Sequence, residues 1–466
     1  MNISCKRSLL GLAIVALSAC SNSATKPDAP SDTPTTPKPF ASTYQAAKHS
    51  PFMVKNVNLL VGNGEQMLGV DVAVEEGVIT AVGKQLNFDG QVIDASGKWM
   101  TPGLIDVHSH MGVYPQPETN NHSDGNEATS PVTAEVWAEH SVWPQDPAFE
   151  KARAGGVTTV QILPGSANLF GGRSVTLKNV HSVTVQEMKF PDAPYGLKMA
   201  CGENPKRVYG SRGQLPSTRM GNVAGFRKAW IDASEYRDKW QEYEAKIAAG
   251  KKADAPKRDL KLETLMGVLE GEILIQNHCY RADEMAQMID IGKEFGYKIQ
   301  AFHHAVEAYK VAPLLAEEGV CAVMWADWWG FKQEAYDMVR ENIALLEMAK
   351  GCAVIHSDDP IQVQRLNQEI AKALAAGQAL GIDVDKADAI RWLTLNAAKV
   401  IGLDNKIGSV EVGKNADLVL WNSDPFSSFA TPEEVWIDGA SVYQQGADNI
   451  TADFNIGIIT PEENRP

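Results

Sequence analysis

The chain has 466 residues, 44% of them apolar and 22% charged, and carries a formal net charge of -15. So acidic a chain without a long basic run argues against nucleic-acid binding, and its length suits one large domain with a satellite better than a single small core. Beyond the N-terminal region no run reaches the roughly 18 consecutive apolar residues that a membrane-spanning helix needs.

Residues 1–19 read as an export signal. Lys6 and Arg7 form a positive start, residues 9–17 are an apolar run too short to span a bilayer, and small residues follow. The tetrapeptide LSAC ending at Cys20 resembles a bacterial lipobox, which implies cleavage before Cys20 and lipid on its sulfur. Ser21 stands where an aspartate would signal inner-membrane retention, so the expected address is the periplasm, anchored to the outer membrane through that lipid alone. Residues 20–48, rich in Pro, Thr, Ser and Ala, are too poor in apolar residues to pack and read as a flexible tether.

Residues 49–100 alternate short β-rich runs with Gly-containing turns, and residues 406–466 begin with the same texture, so both ends are expected to join in one small β-sandwich. Residues 101–405 change to strands alternating with amphipathic helices, the pattern of a parallel β/α architecture. Expected strands lie at 104–107, 157–163, 195–201, 273–276, 298–302, 320–324 and 352–355, with 173–178 as the eighth. Helices are expected at 282–295, 306–318 and 334–349, and residues 232–261 read as a solvated helical insertion. Eight strands close a (β/α)₈ barrel, whose chemistry sits at the strand C-terminal ends. Cys201, Cys279, Cys321 and Cys352 each lie in or beside an apolar run and make no CxxC pair, so buried free thiols are expected.

The chemistry centres on TPGLIDVHSH, residues 101–110. In an extended strand, residues i and i+2 share a face, so His108 and His110 project together, and convergent neutral imidazoles are metal ligands. Other expected strands also end in candidate ligands: His278, the pair His303-His304, and His356-Ser357-Asp358. A histidine at one strand end is usually a satisfied polar residue; at successive ends of one barrel the set points to a metal centre.

These motifs, together with AGGVTTVQILPG, HSDDP and LNAAKVIGLDNKIGSVEVGKNADLVLWNSDP, resemble the amidohydrolase superfamily, and more closely its imidazolonepropionase-related branch. The resemblance spans about residues 54–443. It implies a distorted TIM barrel flanked by the β-sandwich, and one or two divalent cations; the expected periplasmic address makes Zn²⁺ the first choice, while the side-chain types also allow manganese, iron or cobalt. His108, His110, His278, His304 and Asp358 would be the metal ligands; His303 would be structural or orient a ligand, and His356 receives no metal role. The fourth strand offers two bridging groups, a carboxylated Lys198 or Glu203, and the reading leans to Glu203. Asp358 would also be the catalytic base and acid. The implied reaction is metal-assisted hydrolysis of a C–N bond in an amide, dipeptide, N-acyl amino acid or cyclic amide, because bound cations lower the pKa of water toward 7. A deaminase or lactonase of the same superfamily, or a non-catalytic ligand-binding lipoprotein, is the alternative. Arg207, Arg212 and Trp325 are candidate contacts to a small-molecule substrate, and a homo-oligomer is left open.

Overall fold

Among the described residues, sixteen strands follow from the two textures of the sequence. The first part of the chain supplies β1 (Phe52–Leu60), β2 (Gln66–Glu75), β3 (Val78–Gly83), β4 (Gln91–Asp94) and β5 (Trp99–Pro102). Eight barrel strands follow: β6 (Leu104–Ser109), β7 (Val157–Ile162), β8 (Phe170–Lys178), β9 (Gly196–Ala200), β10 (Leu274–His278), β11 (Ile299–His303), β12 (Cys321–Met324) and β13 (Cys352–Ile355). The last part gives β14 (Leu418–Trp421), β15 (Pro432–Ile437) and β16 (Ala440–Gln444). The computed structural model describes residues 40–447, and the fold is that of the unit beginning at Ser42. The signal sequence, Cys20, most of the expected tether and the tail beyond 447 lie outside the described residues.

Both ends of the chain do share a sheet, in the order β16-β15-β14-β5-β1-β2-β3 with β4 paired to β1. Hydrogen bonds connect all eight strands in one branched sheet rather than two separate ones. The ends meet where β5 runs antiparallel to β14, with Met100 opposite Leu420. Val54, Leu59, Val72, Leu418 and Trp436 give this sheet an apolar core of its own.

The barrel strands hydrogen-bond in sequence from β6 to β13. Its edges meet through specific groups: Asp358 N–H donates to the His108 carbonyl at 3.1 Å, and the Ser357 hydroxyl donates to the buried Asp106 carboxylate at 2.5 Å. Seven strands run parallel to one another, but β8 is antiparallel to both β7 and β9. The sequence expectation of an all-parallel barrel therefore fails at this strand. Only a short loop joins β7 to β8, and a parallel return needs a crossover of a dozen or more residues. On β6 the period of two is plain: Ile105 and Val107 pack outward with Ala397, Ala398 and Val400, while Asp106 and His108 turn the other way. Burying each of those two aliphatic side chains contributes roughly 1.5–3 kcal/mol.

The helix Ala282–Phe295 has the expected bounds, closed by Gly296 at φ 78°. The expected helix at 306–318 is a 3₁₀ turn followed by Ala312–Glu318, because Pro313 favours a helix start there. The expected helix at 334–349 shortens to Asn342–Met348, preceded by a 3₁₀ turn at Gln333–Ala335 and a loop. The charged insertion is helical from Arg219 to Ala248, capped by Thr218. No helix among the described residues is long and apolar enough to cross a membrane.

The expectation of free thiols is overturned. Cys201 and Cys279 form a disulfide across the C-terminal ends of β9 and β10, and Cys321 and Cys352 form one between β12 and β13. Their Cα atoms lie 5.3 Å and 4.5 Å apart, well within bridging range. The partners are neighbours in barrel order, not in sequence, so spacing along the chain gave no signal of the pairing.

Candidate active site

The strand ends carry their polar side chains to one mouth. His110 lies at the end of β6, where its Nδ1–H donates to the Leu163 carbonyl at 2.8 Å. That bond leaves the lone pair of Nε2 facing Asp358 Oδ1 at 3.2 Å. His108 is held by a relay. The Gln276 amide N–H donates to the Val400 carbonyl at 3.0 Å, so its Oε1 accepts from His303 Nε2–H at 2.7 Å. His303 Nδ1 therefore accepts from His108 Nδ1–H at 2.8 Å, and the lone pair of His108 Nε2 points to the cluster, 3.5 Å from Asp358 Oδ1. Burial holds both imidazoles well below their ordinary pKa, with nearby Lys198 adding to the effect, and so keeps them neutral as a ligand relay requires.

Three acceptor atoms thus converge: His108 Nε2, His110 Nε2 and a carboxylate oxygen of Asp358. Facing lone pairs repel unless positive charge lies between them, and one proton serves only one pair, whereas a cation serves all three. A second group of donor atoms, from His108, His304 and His356, lies within the same 4.8 Å limit. His304 Nδ1 and His356 Nε2 are 3.2 Å apart, and His356 Nδ1 is buried without a hydrogen-bond partner. The donor set fits a divalent cation bound by imidazoles and a carboxylate. Burial of Asp358 works to raise its pKa, but a proton placed between it and His110 Nε2, where a cation would otherwise sit, outweighs that with help from His356 and Lys198 and holds it below the ordinary carboxylate value.

Backbone conformation adds a further mark. His304 and Asp358 sit at φ 57° and φ 55°, in the left-handed region that non-glycine residues seldom occupy. Each such residue costs roughly 1–3 kcal/mol, and such costs gather at sites where the side chain must be aimed.

The sequence-selected residues divide as follows. His108, His110 and Asp358 meet directly, and His304 Nε2 comes within 3.6 Å of Asp358 Oδ2. His278 stands beside them, its ring centroid 4.8 Å from that of His304, with Nε2 3.4 Å from the Asn204 amide nitrogen and Nδ1 unpartnered. Fully buried Lys198 places Nζ 3.1 Å from His108 Nε2, and burial pushes its pKa down to about 7. Glu203 instead begins the helix Glu203–Gly210, partly exposed, and its nearest ion-pair partner is Lys332 at 3.8 Å. His356 enters the cluster although the sequence reading gave it no role; β13 ends at Ile355, so strand alternation no longer decides its direction.

Among the substrate candidates, Trp325 is buried, stacks on His304 at 4.4 Å between centroids and donates its indole N–H to the Ser357 carbonyl. It is a roof over a histidine rather than an exposed wall. Exposed Arg212 donates to the Ala128 carbonyl and lies over the Tyr209 ring, away from the cluster. Arg207 is exposed on the helix that Glu203 begins, near enough to Lys332 to affect its charge. Sequence reasoning passed over Asp106, Gln276, Tyr280 and Lys332; only Asp106 had a signal, sharing the i, i+2 face of the two histidines.

An amidohydrolase from Thermotoga maritima MSB8 of known structure is 38% identical and superposes with a TM-score of 0.77, covering 84% of this chain and all of that one. The chain belongs to the amidohydrolase superfamily. Residues 336–442 match the amidohydrolase family by themselves. Amidohydrolase tasK of Hapsidospora irregularis is 34% identical over 80% of this chain, which spans only 40% of that protein's length. An imidazolonepropionase from Shewanella frigidimarina is 26% identical over 75% of this chain and 85% of its own.

Proposed function

We propose that the protein is a metal-dependent hydrolase of C–N bonds in small amides, dipeptides, N-acyl amino acids or cyclic amides. The convergence of His108 Nε2, His110 Nε2 and the Asp358 carboxylate on one point carries this reading. In this proposal His108, His110, His278, His304 and Asp358 hold one or two ions, Zn²⁺ first among them, with His356 at the edge of the set. The fourth-strand group is Lys198 rather than Glu203: its amine, against His108 and with its pKa pushed down to about 7 by burial, takes up CO₂ in its uncharged form with loss of one proton to give an anionic carbamate.

A bound divalent cation supplies Lewis-acid polarisation of the substrate carbonyl and a water of lowered pKa. Asp358, ionised and within reach of the histidine cluster, accepts a proton from the attacking water. The oxygen–carbon bond forms, Asp358 returns the proton to the departing nitrogen, and the C–N bond breaks. The His303–Gln276–Val400 relay fixes the His108 tautomer throughout, and the stacked Trp325 holds the His304 ring in place.

Export to the periplasm with a lipid on Cys20 remains part of the proposal, and the two disulfides support it because such bonds persist in oxidising compartments. The test is metal analysis of purified protein, then a hydrolysis screen of N-acyl amino acids, dipeptides and cyclic amides before and after chelation. Bound metal with chelator-sensitive hydrolysis is the expected result; no tightly held metal after expression with added zinc overturns the reading.

A further inference from the structure

The loop after β12 places a cation beside the cluster. Lys332 is largely buried, its Nζ lying 3.9 Å above the Tyr280 ring, 3.4 Å from Asn204 Oδ1 and 3.8 Å from Glu203 Oε1. Tyr280 lies against both His278 and His304, with ring centroids 4.9 Å and 5.6 Å away. The Asn204 carboxamide that touches Lys332 with its oxygen reaches His278 Nε2 with its nitrogen at 3.4 Å. One planar amide group therefore spans the gap between the ammonium and His278, whose ring stands beside that of His304.

The loop that carries Lys332 is pinned. The Ala335 N–H donates to the Lys332 carbonyl at 3.0 Å, and the Glu334 carboxylate pairs with Arg219, which also bonds Glu284 at 3.0 Å. Gly202, at φ 79°, lets Glu334 approach so closely that a Cβ there would stand 2.7 Å from its carboxylate. Lys332 is thus aimed by construction, on a rail of aromatic faces leading to the cluster. Among the described residues the carboxylate in ion-pair range is that of Glu203, beyond direct hydrogen-bond distance; Glu334 and Asp358 add favourable charge from farther off, and Arg207 like charge. A desolvated ammonium with no carboxylate in hydrogen-bond contact is a receiver for an incoming anion.

We propose that Lys332 receives the carboxylate of the substrate, so that the enzyme acts on dipeptides or N-acyl amino acids whose carboxylate lies next to the scissile amide nitrogen. The inference rests on the hydrolase reading above. A carboxylate on Lys332 and a carbonyl on the histidines must be joined by a connector about as short as the Asn204 amide, which suits an α-carboxylate and not one at the end of a longer side chain. Glu203 then acts as the resting counter-ion that the substrate displaces.

The experiment compares wild type, Lys332→Met and Lys332→Arg with zinc loaded, on N-acetyl-L-amino acids and dipeptides and on the same compounds with the carboxylate converted to a carboxamide. Binding of free L-amino acids, read by tryptophan fluorescence, runs in parallel, and thermal melting checks that the variants fold. Lys332→Met is expected to raise KM and Kd for carboxylates about 10- to 100-fold, to leave carboxamides little changed, and Lys332→Arg to restore most of the loss. Equal use of carboxylate and carboxamide by wild type, or an equal loss on both in the variant, overturns the assignment while leaving the hydrolase reading intact. Binding that depends on Lys332 without hydrolysis of any compound keeps the assignment and defeats the hydrolase reading. Neither binding nor hydrolysis defeats both.

Discussion

Replacing Asp358 by Asn isolates proton transfer from metal binding and from folding. Asparagine has the same shape, accepts the φ of 55° at this position better than most residues, and keeps an amide oxygen that can face His108 and His110. What disappears is the anionic base, which a proton shared with His110 holds below the ordinary carboxylate pKa despite burial. General acid–base catalysis contributes about 10²–10⁴-fold, or roughly 3–5 kcal/mol of barrier. The variant should therefore lose that factor in kcat with KM nearly unchanged, while zinc content measured by elemental analysis stays at least half that of wild type. Undiminished kcat would refute the assignment of the base, and complete loss of metal with intact folding would show that Asp358 serves as an indispensable ligand rather than as the proton carrier.

The His108 relay makes a separate claim. Gln276→Leu removes the acceptor for His303 Nε2–H and frees the His108 tautomer, so zinc affinity in a chelator competition should fall about 10- to 100-fold; unchanged affinity counts against the relay. The fourth-strand choice is settled by pairing two variants: Lys198→Ala should lose metal and Glu203→Gln should retain it, and the reverse pattern would restore Glu203 as the bridge. For the disulfides, titration of the denatured, unreduced protein should find none of Cys201, Cys279, Cys321 and Cys352 free. Replacing Cys201 and Cys279 together by Ala should lower stability by about 2–4 kcal/mol in denaturant melts, and no change in midpoint would mean that the bridge constrains nothing.

Much of this was legible in the order of residues along the chain. The period of two in LIDVHSH put His108 and His110 on one face, the alternation of apolar strands and amphipathic helices located all eight barrel strands, and the family resemblance carried by HSDDP marked Asp358 at the last of them. The first two signals are local, written by backbone geometry that repeats every few residues; the third is a family motif. The reversed direction of β8, the joining of Cys201 to Cys279 and of Cys321 to Cys352, and the entry of His356 into the cluster depend on which strands become neighbours and where a strand stops. The choice between Lys198 and Glu203, and the placing of Lys332 over Tyr280, likewise turn on distances between side chains brought in by different elements. Sequence determined what each strand end could offer to a cation; only the closing of the barrel decided which offers meet, because long-range pairing sets the few ångströms on which coordination depends.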